Sequence, residues 1–249
     1  FEAALAAVQD GHVDLAMIPI DNSIAGRVAD IHHFLPRSGL HIIGEYFLPI
    51  HFDLLGVPGS SLETVRTVHS HVHALGQCRR LINEHGYAAV TSGDTAGAAR
   101  EVAEWGDVTR AALAPPLAAE VYGLDTLAKN VEHAAHNTTR FVILARESQV
   151  PEPSEDLMVT TFVFRVRNLP AALYKALGGF ATNGINMTKL ESYMVDGEFT
   201  ATVFLADVEG HPSEPALARA LEELTFFTTE LSILGVYPAH PFRVQSGTR

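Results

Sequence analysis

The sequence predicts an α/β protein built in two parts, and three observations predict it. Between Val13 and Ala145, short apolar runs alternate with segments of helical spacing. Residues 147–156 are polar and interrupted by Pro151 and Pro153, and beyond Met158 the order of elements changes. Composition agrees: 249 residues, 47% of them hydrophobic, with a mean hydropathy of +0.12, supply core for one large or two ordinary domains.

The first part opens with a helix over residues 1–11, where Leu5 and Val8 share a face of an Ala-rich run that Gly11 closes. An apolar strand over 13–20 follows, with Pro19 and Asp21 at its end. Since α/β folds alternate strand and helix, a further strand and loop are expected ahead of Phe1. A helix around 28–35 and a long extended stretch over 40–57 come next. Strand 64–69 leads into a helix over 72–84, and Gly86 ends it. The same alternation repeats through strand 87–91, helix 95–105, strand 110–114, helix 116–122 and strand 140–145. It implies a mostly parallel sheet joined by crossover helices.

The second part reads as strand 158–166, helix 170–183, strands 187–194 and 199–207, helix 214–227 and strand 231–237. This βαββαβ order is the ferredoxin-like arrangement. Gly197 suits the turn of the central hairpin, and Pro170 suits the first turn of its helix. Between the two parts, residues 148–157 form a linker.

Charge and cysteine content exclude several classes. A net charge of −12 argues against nucleic acid or an anionic membrane as partner, since both need clustered Lys and Arg. No apolar run reaches the roughly 18–20 residues that span a bilayer. The single cysteine, Cys78, permits no internal disulfide and fits a reducing cytoplasm. Cys78 sits mid-helix with no base partner in view, as a small buried hydrophobe would. His71 with His73, and His32 with His33, lack a third ligand at metal spacing and read as capping or exposed histidines. Neither metal nor cofactor is expected.

Four segments could carry chemistry. Asn137-Thr138-Thr139-Arg140-Phe141 packs amide, hydroxyl and guanidinium groups at the mouth of a strand, where α/β folds bind ligands. The alternative is a polar loop with local backbone caps. Residues 19–26, Pro-Ile-Asp-Asn-Ser-Ile-Ala-Gly, pass from an apolar strand into a polar loop; Asn22 or Ser23 would equally serve as a helix cap. Ser70-His71 meets the start of a helix that carries Gln77 about two turns in, a geometry suited to anions. Asp94-Thr95 is another strand-to-helix junction, explained locally by an Asp cap.

Taken in this order and spacing, these four segments resemble the prephenate dehydratase family. The resemblance continues through residues 168–175, 184–192 and Leu234-Gly-Val-Tyr-Pro238, which are similar to the ACT regulatory domain of that family. It implies a catalytic domain over 1–147 with two lobes hinged like a type II periplasmic binding protein. One lobe would comprise 1–45 with 123–147, and the other 46–122; the ACT domain would occupy 158–249. It implies that prephenate becomes phenylpyruvate, water and CO2. Thr139 and Arg140 would be catalytic, with Asn22, Ser23, Ser70, His71, Gln77, Thr95, Asn137, Thr138 and Phe141 binding substrate. Arg140 would grip the pyruvyl carboxylate while Thr139 assists the departing hydroxyl. Phenylalanine would bind at Leu169, Pro170, Ala171, Ala172, Leu173, Asn186, Glu191 and Ser192 as an allosteric inhibitor, in a homodimer or homotetramer.

The chain departs from the family pattern at several positions. Asp21 stands where the family has Glu, and Val72 where it has Pro. Ala171 replaces a glycine, Tyr193-Met194 replaces Arg-Pro, and the family's opening Gly-rich strand and loop is absent. Two other readings share the residues: an arogenate dehydratase, and a non-catalytic amino-acid sensor of the same fold.

Overall fold

A computed structural model describes residues 1–28, 31–133, 136–167, 169–194 and 201–243, with only the backbone for His32, Ala201 and Thr202. Asn168 and the proposed hairpin glycine, Gly197, lie outside these residues. In chain order the elements are α1 (Glu2–Gln9), β1 (Leu15–Asn22), β2 (Gly26–Arg27), α2 (Ile31–Phe34), β3 (His41–Pro49), β4 (Asp53–Gly56), β5 (Thr67–Ser70), α3 (Val72–Gln77) and α4 (Arg79–His85). Then follow β6 (Ala88–Thr91), α5 (Thr95–Trp105), β7 (Arg110–Ala114), α6 (Leu117–Tyr122), β8 (Asp125–Ala128) and β9 (Thr138–Ala145). The chain closes with β10 (Met158–Val166), α7 (Ala172–Thr182), β11 (Met187–Met194), β12 (Ala201–Glu209), α8 (Pro215–Phe227) and β13 (Thr228–Pro238).

These elements separate into two compact units, residues 1–22, 26–48 and 140–249 in the first and 23–25 and 49–139 in the second. The second unit holds a five-stranded sheet in the order β6-β5-β7-β4-β8. Alternation along its strands explains why helices cover both faces. Leu54, Ala111 and Leu113 share one apolar cluster with Ala74, Leu75 and Ile82 of α3 and α4. Their chain neighbours Leu55, Ala112 and Ala114 share another with Ala98, Val102 and Ala118 of α5 and α6.

The expected mostly parallel sheet is corrected here. β5 runs parallel to β6 and β7, but β4 runs antiparallel to both β7 and β8. The extended stretch over 40–57 is in fact two strands in different units, β3 and β4. The return segment also changes allegiance: 123–139 belongs with the middle of the chain because β8 pairs with β4. The single helix expected over 72–84 is broken at Cys78, whose φ of −106° and ψ of 16° are not helical. Gly86 does end α4, in the left-handed region at φ 66°.

In the first unit the C-terminal strands take the order β11-β12-β10-β13, which is 2-3-1-4 within the βαββαβ segment. Helices α7 and α8 cover one face through Ala176, Phe180, Leu217 and Leu224 against Phe162, Phe164 and Phe204. Pro170 lies ahead of α7 rather than in its first turn, and Ala171 takes φ 62°, a left-handed conformation that costs a side-chain-bearing residue about 1–2 kcal/mol. Residues 147–156 carry neither helix nor strand.

The C-terminal strands share their sheet with the start of the chain. β13 pairs in parallel with β3 through Gly235 and Ile42, so one eight-stranded sheet runs β11-β12-β10-β13-β3-β9-β1-β2. A single apolar cluster mixes Leu5, Ile18, Ile42 and Val142 with Val159, Leu205 and Tyr237. The joint is close: a Cβ on Gly235 would sit 2.1 Å from the carbonyl oxygen of Ile42.

Candidate active site

The approach to Thr139 is knotted by neutral hydrogen bonds in the second unit. The Ser23 hydroxyl donates to the His136 carbonyl at 2.6 Å and accepts from the Thr138 amide at 2.9 Å, while the Ser23 amide donates to the Thr138 carbonyl. Asn137 is buried, and its Nδ2 donates to Oε1 of Gln77 at 2.6 Å. The His133 amide donates to the Gln77 carbonyl, and the Ile50 amide to that of Asn137. Ser23, Gln77, Asn137 and Thr138, far apart in sequence, are therefore brought together as one junction ahead of Thr139.

Ser70 is fully buried at the end of β5, where its hydroxyl donates to the Leu113 carbonyl at 2.6 Å. Thr95 opens α5, and both stand at the carboxyl ends of parallel strands, where α/β sheets place ligands. The anion position at α5 is already taken: Asp94 Oδ1 accepts from the Gly97 amide at 2.6 Å. His71 caps α3 by accepting from the His73 amide at 3.3 Å. Cys78 is buried, and burial, reinforced by the charge of Glu132, pushes its thiol up to about 12, so it stays a thiol.

Arg140 lies elsewhere. Its side chain is 7% exposed within the first unit. Nε donates to Glu45 Oε2 at 2.8 Å, Nη1 to Asp207 Oδ2 at 2.5 Å and Nη2 to the Tyr237 hydroxyl at 3.0 Å. Asp21 adds a longer contact at 3.5 Å. The expectation that this guanidinium grips a substrate carboxylate is corrected on that ground, because its fork is already spread over protein acceptors. Burial works against its charge, yet Asp207, Glu45 and Asp21 raise its pKa well above the usual value. Burial alone would raise the Asp207 carboxyl, but Arg140, the Thr161 hydroxyl and Arg243 hold it below 3.8.

The cluster extends further. Arg243 makes two bonds to Glu45, at 2.6 and 2.9 Å, and Lys189 donates to Asp21 at 2.5 Å. Sequence reading missed this group, since its acids lie 95 and 67 residues from Arg140 with no local pattern to join them. Asn22 ends β1 and pairs with Gly26, and Phe141 is half-buried on β9. Of the residues expected to hold phenylalanine, Glu191 lies 4.0 Å from Arg27, whose guanidinium also donates to the Ser192 carbonyl at 3.1 Å. Asn186 accepts from the Glu209 amide through its carbonyl. Leu169, Pro170, Ala171, Ala172 and Leu173 form the lead-in and first turn of α7.

The family model described as prephenate dehydratase matches residues 1–149, which include the Ser23, Gln77 and Asn137–Phe141 positions. The chain belongs to the prephenate dehydratase family. Family members it resembles include the bifunctional N-acyl-homoserine lactone acylase/prephenate dehydratase of Komagataeibacter europaeus, 55% identical over 98% of this chain and 86% of that one. The chloroplastic arogenate dehydratase/prephenate dehydratase 1 of Arabidopsis thaliana is 38% identical over 96% of this chain, which spans 64% of that relative's length. Among solved structures, the prephenate dehydratase of Arthrobacter aurescens in complex with L-Phe is 32% identical, with a TM-score of 0.84 over 95% of this chain and 79% of that one. Among the described residues, no helix is long and apolar enough to cross a membrane.

Proposed function

We propose that this protein converts prephenate to phenylpyruvate, water and CO2, with Thr139 as the group that assists departure of the ring hydroxyl. The reading is carried by one observation: the hydrogen-bonded junction of Ser23, Gln77, Asn137 and Thr138 sets the backbone leading into Thr139, inside the segment that matches the family model.

The chemistry asks little of the protein. The electron pair of the ring carbon–carboxylate bond moves into the ring as CO2 leaves, and the ring expels hydroxide at the opposite carbon, which takes a proton and departs as water. Aromatisation drives both losses. A hydroxyl that donates to the departing oxygen contributes roughly 10²–10⁴-fold. Because the Arg140 guanidinium is committed to the interior, and the Ser23 and Ser70 hydroxyls already donate to the His136 and Leu113 carbonyls, Asn22 and Thr95 orient the substrate, with Ser23, Ser70, Gln77, Asn137 and Thr138 as the framework behind them. Lobes hinged like a periplasmic binding protein close over the substrate and exclude water.

The C-terminal βαββαβ segment acts as an ACT domain that binds phenylalanine through Leu169–Leu173, Asn186, Glu191 and Ser192 in a homodimer or homotetramer of the cytoplasm. Bound phenylalanine lowers activity by favouring the less active state.

The test incubates the protein separately with prephenate and arogenate and follows phenylpyruvate and phenylalanine, with and without added phenylalanine. Thr139→Ala should lose at least about 10²-fold in kcat, with Thr139→Ser retaining more. Wild-type turnover in Thr139→Ala would remove the assignment. A second reading, hydrolysis of the acyl amide of an N-acyl-homoserine lactone, is favoured by 55% identity to a relative named for both activities. Incubating the protein with such a lactone and following release of the fatty acid and of homoserine lactone decides it.

A further inference from the structure

Deepening the dehydratase reading above, we propose that Asp207 and Tyr237, from the C-terminal half of the chain, are positioning residues for the reaction, acting through Arg140 on Thr139. Three observations converge.

First, β9 alternates buried and part-exposed residues from Thr138 to Ala145, so Thr139 and Arg140 point to opposite faces of one strand. The planar guanidinium has no free rotation once its nitrogens are engaged on several sides. Fixing it fixes the twist of the strand, and with it the direction of the adjacent hydroxyl.

Second, the groups that fix it come from strands remote in sequence. Asp207 on β12 is 1% exposed, takes Arg140 on Oδ2 and accepts from the Thr161 hydroxyl on Oδ1 at 2.7 Å. Tyr237 on β13 is fully buried, and its hydroxyl accepts from Arg140 and bonds Thr161 at 2.7 Å. Each partner is itself held, which makes the cluster a rigid seat.

Third, stability alone is a poor reason for the arrangement. Burying charged groups costs solvation, and apolar replacements of equal volume are often as stable or more so. What a satisfied ionic cluster supplies better than packed carbon is a unique geometry. Misplacement of a reacting group by about 1 Å costs on the order of 10²-fold in rate.

The experiment measures prephenate turnover and thermal unfolding of the wild type, Asp207→Asn, Tyr237→Phe and Leu224→Ala. The last is a control that opens the core beneath α8 without touching the cluster. Asp207→Asn should lose about 10- to 100-fold in kcat with KM moved less than about threefold, and Tyr237→Phe about 3- to 10-fold in the same direction. Leu224→Ala should melt earlier yet keep the wild-type kcat when assayed well below its melting temperature. Wild-type kcat in the cluster variants overturns the proposal; so does a change confined to KM, or a kcat loss in Leu224→Ala that matches theirs. Should Asp207→Asn fail to fold, Tyr237→Phe, which removes one oxygen atom, decides alone. A wild type that does not turn over prephenate removes the dehydratase reading itself, and this inference with it.

Discussion

Two neighbouring stretches of one five-residue motif are held in contrasting ways. Asn137 and Thr138 are tied by amides, carbonyls and a serine hydroxyl, without a formal charge in the hydrogen bonds among the described residues. Arg140, two residues beyond Thr138, is seated among three carboxylates and a phenol with 7% of its side chain exposed. A neutral network tolerates small shifts, because each bond contributes about 1 kcal/mol net and its loss strands no charge. A buried ionic cluster does not, since a displaced charge has nowhere to be solvated. The contrast gives the motif a soft approach and a hard anchor, with Thr139 between them.

Breaking the hard anchor should have the largest effect. Arg140→Met leaves Asp207 and Glu45 sharing Arg243 in the interior, and should lower unfolding free energy by about 3–5 kcal/mol in denaturant titration. The soft side should respond less. Gln77→Leu removes the Oε1 that accepts from buried Asn137 Nδ2, at a cost of about 1–3 kcal/mol by the same measurement.

Acid should separate the two regions. Asp207 is held below 3.8, so its contribution is present above that pH and is lost as the pH falls through its lower folded value. His69, in the second unit, behaves differently: burial and then Arg110 depress it below 6.5. Its unfolded form takes up a proton first, so its contribution is present above 6.5 and fades as the pH falls below it. Hydrogen exchange compared at pH 7 and pH 5 should show protection lost around β5 and retained on β9, β12 and β13.

The smallest expected effect lies at the start of α7. Ala171→Gly relieves a left-handed φ of 62° and should raise stability by about 0.5–1 kcal/mol after the added chain entropy of glycine, read as a higher melting temperature.

Periodicity alone places much of this fold. The bounds read for 95–105, 110–114, 158–166 and 187–194 coincide with α5, β7, β10 and β11, since each run is regular and bordered by turn formers. Asp94 as a cap was equally visible, because capping is decided within four residues. What could not be read were decisions made at a distance. Residues 40–57 look like one apolar run, yet Pro49 and Ile50 carry the chain from one sheet to another. Asp125–Ala128 is too short to announce a strand until β4 is there to receive it. Arg140 beside a threonine suggested a ligand grip; only the folded chain shows that Glu45, Asp207 and Tyr237 reach it first.

Gly235 carries a consequence for how the protein can be altered. Where β13 meets β3, the space for even a methyl group is filled by the backbone at Ile42. Anything larger than hydrogen at that position wedges the two strands apart along the line where early and late parts of the chain are zipped together. Cutting the chain at residues 147–156 would therefore not free two self-sufficient pieces: it would expose a raw strand edge on each and strip Arg140 of Asp207 and Tyr237 at one stroke.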